Sequence, residues 1–358
     1  MTPPQPIFFA DAPRRATVVG AGSFGTALAV LLSRAGLRTT LQARTTEQAA
    51  LLRADGKNRR YLPGVALPPE LRVEPVSTGL ARTDLVFLAV PSRSLDEVIS
   101  GLAAAGLPAR AAVVSLAKGL VPPDGLAPTA LLIELLGLDR VACVGGPAHA
   151  HEMVTAGAGL VAASRSEKLA GALSALLIRA GVVCERSNDP VGVELAGAAK
   201  NAAALAAGAT EAQGHNAAGA AAGHIFAENW RMAAAQGARP DSFIGLAGTG
   251  DLVATVLASG SRNRRAGELL AQGVPAAEIA ARVGQTVESL ESVPLLARAL
   301  ERAGVQAPVT RALAGLVSGE LALDSWVALV RTTLPPPARW VRRGAMRRAW
   351  ARARRRLR

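Results

Sequence analysis

Cysteine is scarce in this sequence, with only Cys143 and Cys184 among 358 residues. Two cysteines cannot form a disulfide framework, and both lie in apolar, strand-like segments, so we expect reduced, buried thiols in a cytoplasmic protein. Long hydrophobic runs are also missing. Half of the residues are hydrophobic, yet no apolar run reaches the roughly 18 residues of a membrane span. The first 15 residues have no charged segment ahead of a long apolar run, so no signal peptide is predicted.

Several common enzyme signatures are absent too. The sequence contains neither a nucleophile elbow nor a phosphate-binding P-loop. His149 and His151 form an H-x-H pair, but no further cysteine or carboxylate stands at ligand spacing from them. No metal site is therefore predicted.

The excess of basic residues is concentrated in a tail. Residues 339–358 hold ten arginines and no acid; they account for most of the net charge of +13 and leave +3 for the rest of the chain. The triple proline at 335–337 separates this tail from the body. Such a tail could contact an anionic membrane surface, whereas nucleic acid is not expected as a partner. The alternative is a solvated, partly helical extension.

Short apolar runs alternate with helical segments in the first half of the chain. Strand-like runs occupy residues 16–22, 39–44, 84–91, 111–119, 141–147, 160–164 and 182–185. This alternation predicts an α/β fold with a doubly wound, mostly parallel sheet. From about residue 190 the strand signals stop and Ala-rich helical segments follow. We therefore predict an N-terminal extension (1–15), a Rossmann domain (16–189), an all-α domain (190–330), and a Pro-rich linker with the Arg-rich tail (331–358).

A glycine motif follows the first strand and opens a helix. Gly20, Gly22 and Gly25 form G-x-G-x-x-G, in which the glycines make the tight turn, admit a pyrophosphate and allow close helix packing. The N–H groups at the start of the helix then face the phosphates. This context predicts a dinucleotide site.

The residue that ends the second strand bears on which dinucleotide binds. NAD-binding versions usually carry an acid there, about 20 residues on, to hold the ribose 2′-OH. Here the position is Arg44, which suits a 2′-phosphate and favours NADPH over NADH. The alternative is that Arg44 stacks on the adenine and does not discriminate.

Lys200 stands in the Ala-rich stretch 193–208. At helical spacing it shares a face with small apolar residues, so it would lose water and its pKa would fall. A lysine of lowered pKa is suited to proton transfer near neutral pH. Only four of the 40 basic residues are lysines, which indicates that Lys200 serves chemistry and not charge alone. The alternative is that its side chain snorkels to the surface.

Other polar groups stand at the ends of strands and in glycine-rich loops. Lys118 ends a strand at the sheet edge where ligands bind; the alternative is a solvent-exposed lysine. Gly145 and Gly146 end another strand. Asp251 follows the loop 245–250 at a predicted helix start. The segment SGSRNRR (259–265) concentrates arginines that suit a bound anion, whereas the alternative is an ordinary solvated face.

Seven segments together resemble a known family. GAGSFGTALA, SLAKGL, VGGPAHAHEM, ELAGAAKNAAALAAG, GLAGTGDL, SGSRNRRAGELL and VGQTVES occur in the order found in bacterial NAD(P)-dependent glycerol-3-phosphate dehydrogenases. The resemblance covers roughly residues 16–325. It implies a fold of the 6-phosphogluconate dehydrogenase group, reversible NAD(P)H-dependent reduction of dihydroxyacetone phosphate to sn-glycerol 3-phosphate, and supply of phospholipid synthesis. A homodimer is also expected.

The resemblance also implies site residues. It makes Lys200 the proton donor and acceptor, with Asp251 and Lys118 as further catalytic groups. Implied cofactor contacts are Gly20, Gly22, Ser23, Phe24, Gly25, Arg44, Lys118, Ala150, Arg262 and Glu288. Implied substrate contacts are Lys118, Gly146, Ala148, Lys200, Asn201, Asp251, Ser261, Arg262 and Asn263.

The sequence departs from the family pattern in three places. Ala148 replaces a usual Ser or Thr, His151 replaces a usual Glu or Lys, and the stretch 211–224 is shortened, with Ala218 and His224 in place of basic residues. These departures leave open a related dehydrogenase with a shifted 2-oxo or phosphorylated substrate. A non-catalytic dinucleotide-binding paralogue is a further alternative, although Lys118, Lys200, Asp251 and Arg262 would then have no use.

Overall fold

The computed structural model describes residues 13–258 and 260–334. Most of the predicted N-terminal extension and almost all of the predicted tail lie outside these residues. Eight strands form one sheet in the order β3-β2-β1-β4-β5-β6-β7-β8. They are β1 (Arg15–Val19), β2 (Arg38–Ala43), β3 (Arg72–Pro75), β4 (Leu85–Leu88), β5 (Ala112–Ser115), β6 (Val141–Gly145), β7 (Gly159–Ala163) and β8 (Val183–Ser187).

The predicted doubly wound, mostly parallel sheet is confirmed. Every neighbouring pair runs parallel except β6 and β7, which pair antiparallel. Strand β3 was not predicted, because its four residues include an arginine and a glutamate and only Val73 is buried. The remaining strands overlap the predicted runs, with ends that differ by up to four residues; β1, β2 and β7 begin one residue earlier than predicted, and β8 ends two residues later.

Helices cover both faces of the sheet. They are α1 (Ser23–Arg34), α2 (Thr46–Asp55), α3 (Leu95–Gly101), α4 (Pro128–Leu136), α5 (Ala150–Thr155) and α6 (Glu167–Arg179). Alternate residues of β4 enter different cores: Leu85 and Phe87 pack with α1 and α6, whereas Val86 and Leu88 pack with α3 and α4. This alternation is what a strand buried on both faces requires.

The long helix α7 (Pro190–Thr210) lies at the centre of the molecule. Asp189 caps it, because its side chain accepts a hydrogen bond from the Gly192 N–H at 2.8 Å, and Pro190 suits the first helical position. All of its 21 residues except Val191 are buried. Val193 packs on the sheet beside Cys143 and Val161, so α7 touches both the sheet and the helices. The division into domains at 16–189 and 190–330 stays a prediction.

Helix α7 also supplies a buried cap to a neighbour. The carboxylate of Glu194 accepts hydrogen bonds from the backbone N–H of Thr129 at 3.0 and 3.2 Å and from its hydroxyl at 2.5 Å. Thr129 lies in the first turn of α4, where N–H groups have no partner within the helix. Burial raises the pKa of Glu194 to about 7, although these hydrogen bonds oppose the rise.

Eight further α-helices of the described residues surround α7 or extend its core. They are α8 (His215–Ala235), α9 (Pro240–Ile244), α10 (Asp251–Leu257), α11 (Arg262–Ala271), α12 (Ala276–Val283), α13 (Glu288–Arg302) and α14 (Pro308–Ser318), followed by α15 (Leu323–Thr332). Among the described residues, no single helix has the length and apolar character needed to cross a membrane. Only residues 240–257 and 262–271 taken together, a pair bent by 58°, reach that length and composition.

Two glycines bring the backbones of α7 and α11 into direct contact. A Cβ atom at Gly208 would lie 2.1 Å from the carbonyl oxygen of Arg264, and one at Gly267 would lie 2.0 Å from the carbonyl oxygen of Leu205. No other residue type fits at such distances. The two helices therefore pack without a layer of side chains between them at this point.

Candidate active site

The glycine turn between β1 and α1 has the shape of a phosphate cradle. Gly20 has a φ of +111°, and a Cβ atom there would lie 2.5 Å from the carbonyl oxygen of Ala89; a Cβ at Gly25 would lie 2.1 Å from the carbonyl oxygen of Gly20. Gly22 differs, because a Cβ there would meet no atom within 4 Å. The open space at Gly22 lies at the N-terminus of α1, where a pyrophosphate would meet unpaired N–H groups. These residues fit a bound dinucleotide.

The other expected cofactor residues on this side lie around the same turn. Ser23 and Phe24 are half-buried in the first turn of α1, and Arg44 is exposed directly after β2. Gln42 points inward and donates to the carbonyl oxygen of Gly79 at 2.7 Å. Arg44 therefore remains as the polar group that can meet the 2′ position of a ribose at the end of β2.

Lys118 lies at the carboxyl edge of the sheet, after β5. Its Nζ donates to the carbonyl oxygen of Gly146 at 2.9 Å and to Oδ2 of Asp251 at 2.7 Å. Gly146 has a φ of +111°, and a Cβ there would lie 2.5 Å from the carbonyl oxygen of Gly159. The side chain of Lys118 is 17% exposed, so the alternative of a solvent-exposed lysine is wrong.

Lys200 projects from α7 into the same cluster. Its Nζ donates to Oγ1 of Thr255 at 2.9 Å and lies 3.2 Å from Oδ1 of Asp251. Only 6% of Lys200 and 2% of Asp251 are exposed, so the expected burial is confirmed and the snorkelling alternative is wrong. Asp251 thus bridges two ammonium groups, one through each carboxylate oxygen.

The electrostatics of the cluster follow from this geometry. Burial lowers the pKa of Lys200 to about 8, with a further lowering from the positive charge of Lys118 and an opposing effect from Asp251. Burial acts to raise the pKa of the Asp251 carboxyl, but the charges and hydrogen bonds of Lys118 and Lys200 outweigh it and hold that pKa below its usual value. These effects favour the ionised form of Asp251, and the lowered pKa makes Lys200 suited to proton transfer near neutral pH.

Thr255 was missed in the sequence. It lies four residues after Asp251 on α10, and its hydroxyl lies 3.4 Å from Oδ1 of Asp251 as well as 2.9 Å from Lys200. The i, i+4 spacing from a candidate acid on a helix was a signal that could have found it.

Asn201, Asn263 and Glu288 form a network below Lys118. The amide of Asn201 donates to the carbonyl oxygen of Lys118 at 2.9 Å and to Glu288 at 3.2 Å, and accepts from Asn263 at 2.8 Å. Asn263 in turn accepts from the Ser289 N–H. The structure therefore uses these groups to hold α7, α11 and the start of α13 together beside the lysine cluster.

The arginine-rich segment divides between two tasks. Arg262 is exposed and donates to the carbonyl oxygen of Thr286 at 3.1 Å, while the Ser261 side chain caps α11 by accepting from the Arg264 N–H. Arg264 bonds Glu211, and Arg265 bonds Glu268. The expectation that all these arginines serve an anion is therefore wrong, because two of them are neutralised by carboxylates.

The loop after β6 carries the departures from the family pattern. Ala148 is half-buried and packs against the core shared by α1 and α6, so no hydroxyl is offered there. Ala150 begins α5, the His149 ring lies 3.4 Å from the carbonyl oxygen of Ala254, and His151 is exposed. Within residues 13–258 and 260–334, no three His, Cys, Asp or Glu side chains are grouped as metal ligands.

The shortened stretch 211–224 forms a helical turn and the start of α8. Ala218 and His224 are both half-buried there. The carboxylate of Glu211, at the start of the stretch, accepts hydrogen bonds from Nε and Nη2 of Arg264 at 3.0 and 2.5 Å.

A cavity of about 670 Å³ opens between the sheet and the helices. Its walls are formed by residues 60, 61 and 93 on one side and by residues from 276 to 291 on the other. Arg93 and Glu291 form an ion pair across it. Thr286, whose carbonyl oxygen accepts a hydrogen bond from Arg262, is part of its lining, so the cavity adjoins the start of α11.

Comparison with known proteins assigns both halves of the chain to one family. The family described as NAD-dependent glycerol-3-phosphate dehydrogenase matches through its N-terminal part over residues 15–170 and its C-terminal part over residues 189–328. A glycerol-3-phosphate dehydrogenase [NAD(P)+] of Deinococcus radiodurans is 41% identical, covering 85% of this chain and 90% of its own. That of Thermus thermophilus is 40% identical, covering 84% and 92%. A crystal structure of the enzyme from Coxiella burnetii superposes with a TM-score of 0.84 at 28% identity, covering 89% of this chain and 99% of that one.

Proposed function

The chain belongs to the NAD-dependent glycerol-3-phosphate dehydrogenase family, and on that premise we propose that Lys118, Lys200 and Asp251 form the centre at which its substrate reacts. The protein is an NAD(P)-dependent glycerol-3-phosphate dehydrogenase, which interconverts dihydroxyacetone phosphate and sn-glycerol 3-phosphate. The assignment of individual residues is our proposal. The observation that carries it is the buried carboxylate of Asp251, which holds two lysine ammonium groups at 2.7 and 3.2 Å.

The dinucleotide would lie along the carboxyl edge of the sheet. Gly20, Gly22 and Gly25, with Ser23 and Phe24, would hold the pyrophosphate at the N-terminus of α1, and Ala150 and Glu288 would hold the nicotinamide end. When bound, the nicotinamide supplies or accepts the hydride at C2 of the substrate. We also propose that Arg44 binds a 2′-phosphate, so that NADPH is preferred to NADH.

Proton transfer is the role of Lys200. In the direction of reduction, its ammonium group donates a proton to the oxygen that develops negative charge at C2. Asp251 and Thr255 hold Nζ in place, so the donor is already oriented before the substrate binds. Lys118 brings a second positive charge to the same oxygen, which stabilises the developing alkoxide.

The phosphate of the substrate would bind at the start of α11. Arg262 offers an exposed guanidinium fork, and the N–H groups of the first turn of that helix offer donors to an anion. Ser261 and Asn263 flank it. Gly146 and Ala148 would line the opposite side of the substrate, and Asn201 would border it from α7. Holding the phosphate would keep C2 within reach of Lys200.

The cysteines and the arginine-rich tail bear on the location of the protein. Cys143 and Cys184 are free and buried, which supports our proposal that the protein works in the reducing cytoplasm. The ten arginines of residues 339–358 support a contact of the tail with an anionic membrane surface. A homodimer stays a prediction.

The test is NADPH oxidation by the purified protein with dihydroxyacetone phosphate. The variant Lys200→Ala should lose turnover while retaining NADPH binding. Lys168→Ala is the matched control, because Lys168 is an exposed lysine on α6 and should behave as wild type. Equal turnover in both variants would refute the role of Lys200.

A panel of 2-oxo acids and phosphorylated ketones tests the alternative substrate. Ala148 offers no hydroxyl where the family usually has one, and this observation motivates the panel. Faster turnover of another compound than of dihydroxyacetone phosphate would show that the specificity has shifted.

A further inference from the structure

Asn58 is a buried amide beside the glycine turn that neither the sequence motifs nor the proposed mechanism uses. It lies between α2 and β3, and only 2% of it is exposed. Its Nδ2 donates to the carbonyl oxygen of Ala21 at 3.0 Å and to Oγ1 of Thr26 at 2.8 Å. Its Oδ1 accepts from the Tyr61 N–H at 3.2 Å. The amide is therefore fully engaged, and both of its donors reach the turn and first helical residues of the phosphate cradle.

The bond to Ala21 has a directional consequence. A peptide unit is planar and trans, so its C=O and N–H groups point in opposite directions. When Asn58 holds the Ala21 carbonyl on the inner side of the turn, the N–H of Gly22 is turned to the outer side. The backbone at Gly22 is also open to an approaching group, because a Cβ atom built on its Cα would meet nothing within 4 Å.

From this geometry we infer that Asn58 is a positioning residue for cofactor binding: it fixes the orientation of the Ala21–Gly22 peptide so that the Gly22 N–H faces the pyrophosphate before the cofactor arrives. Its partner Thr26 is fixed independently, because the Thr26 N–H also donates to the Gly22 carbonyl oxygen at 3.0 Å. Glycine has more backbone freedom than any other residue. A turn of this composition therefore needs an external bond to keep one orientation.

Asn58 also orders the segment that follows it. The Leu62 N–H donates to the backbone carbonyl oxygen of Asn58 at 2.8 Å. Together with the bond from the Tyr61 N–H to the side chain, this bond winds residues 58–62 around Asn58. Arg60 and Tyr61 thereby line the 670 Å³ cavity. The same amide thus holds the cradle and one wall of the adjoining cavity in a fixed relation.

The inference rests on the proposed cofactor site, and the experiment separates the two. NADPH binding is measured by fluorescence titration, together with kcat and the KM values for NADPH and dihydroxyacetone phosphate. Asn58→Leu keeps the volume and removes every side-chain hydrogen bond, and Asn58→Ala serves as a second variant in case the first folds poorly. We expect the Kd and KM for NADPH to rise roughly 10-fold to 100-fold, as for loss of a hydrogen bond to a charged group. The kcat at saturating NADPH and the KM for dihydroxyacetone phosphate should stay within about twofold of wild type, because neither constant depends on how the turn is oriented before NADPH binds.

One control identifies a merely structural effect. Asn229→Leu replaces another fully buried asparagine, whose amide bonds the carbonyl oxygen of Ile225 within α8, and should lower the melting temperature without changing the Kd. If the Asn58 variants lose stability like Asn229→Leu but bind NADPH as tightly as wild type, the inference is overturned and the cofactor site stands. If wild-type protein fails to bind NADPH, the cofactor site itself is refuted and the inference with it.

Discussion

Replacing Lys200 with methionine separates the chemical role of this residue from its effect on stability. Methionine has a similar length and no charge, so it fills the site between Asp251 and Thr255 without offering a proton. We expect the rate of dihydroxyacetone phosphate reduction to fall by roughly 10²-fold to 10⁴-fold, the range for loss of a general acid. Asp251 keeps Lys118 as its partner at 2.7 Å, so the carboxylate is not left without a counter-charge.

The same substitution should remove a pH dependence that the buried lysine gives to the stability of the wild-type protein. A pKa of about 8 for Lys200 in place of 10.5 corresponds to about 3 kcal/mol, at about 1.36 kcal/mol per pH unit. Below pH 8 both the folded and the unfolded chain carry the protonated lysine, so the full cost of burying the charge is present. Between pH 8 and pH 10.5 the folded chain loses the proton first, and the cost disappears as the pH rises.

The assay pairs kinetics with denaturation. Urea unfolding of wild type and Lys200→Met at pH 7, 8, 9 and 10 gives the difference in the free energy of unfolding, and NADPH oxidation gives the rate. The stability of wild type relative to the variant should rise by about 3 kcal/mol between pH 7 and pH 10. A difference that does not change with pH would refute the argument that burial lowers the pKa of Lys200.

Three further substitutions test other parts of the structure. Arg262→Leu should raise the KM for dihydroxyacetone phosphate roughly 10-fold to 100-fold, because it removes a phosphate contact. The control Arg265→Leu loses only the pair with Glu268 and should change this KM by less than about twofold. Equal effects of the two substitutions would exclude a special role for Arg262. Arg44→Leu should raise the KM for NADPH roughly 10-fold with little change for NADH, and a parallel rise for both would favour stacking on the adenine. The folded-state pKa of Glu194, about 7, lies above the usual 4.5, so the stability of the wild-type protein should fall as the pH rises from 4.5 to 7. Unfolding of wild type and Glu194→Gln measured over this pH range checks the effect, and the glutamine variant should show no such fall. An unchanged slope would show that Glu194 does not titrate there.

Patterns local in sequence predicted most of the fold. Apolar runs of strand length predicted seven of the eight strands, and the glycine turn predicted the start of α1. Strand β3 was missed because it is a short, polar edge strand whose only buried residue is Val73. The antiparallel direction of β7 could not be read either, because an apolar run has the same composition in both directions.

The site was predicted only where its environment is set by neighbouring residues in the sequence. The small neighbours of Lys200 on its own helix indicated that it is buried, since that environment is written in the adjacent sequence. The bonds from Asp251 to Lys118 and Lys200 join residues separated by 133 and by 51 positions, so only the fold brings them together. Arg264 and Arg265 read as anion-binding groups because their carboxylate partners, in particular Glu211, lie elsewhere in the chain or along the helix.

The direct contact of α7 with α11 at Gly208 and Gly267 bears on how this enzyme could change its substrate. Lys200 is carried by one of these helices and Arg262 by the other, so the distance between the proposed proton donor and the proposed phosphate contact is set by main-chain contact. Side-chain substitutions between the helices cannot lengthen or shorten it, because there is no side chain to exchange at the contact. A descendant that accepted a longer or shorter phosphorylated ketone would have to move a whole helix, which makes the three-carbon length of the substrate difficult to alter by point mutation.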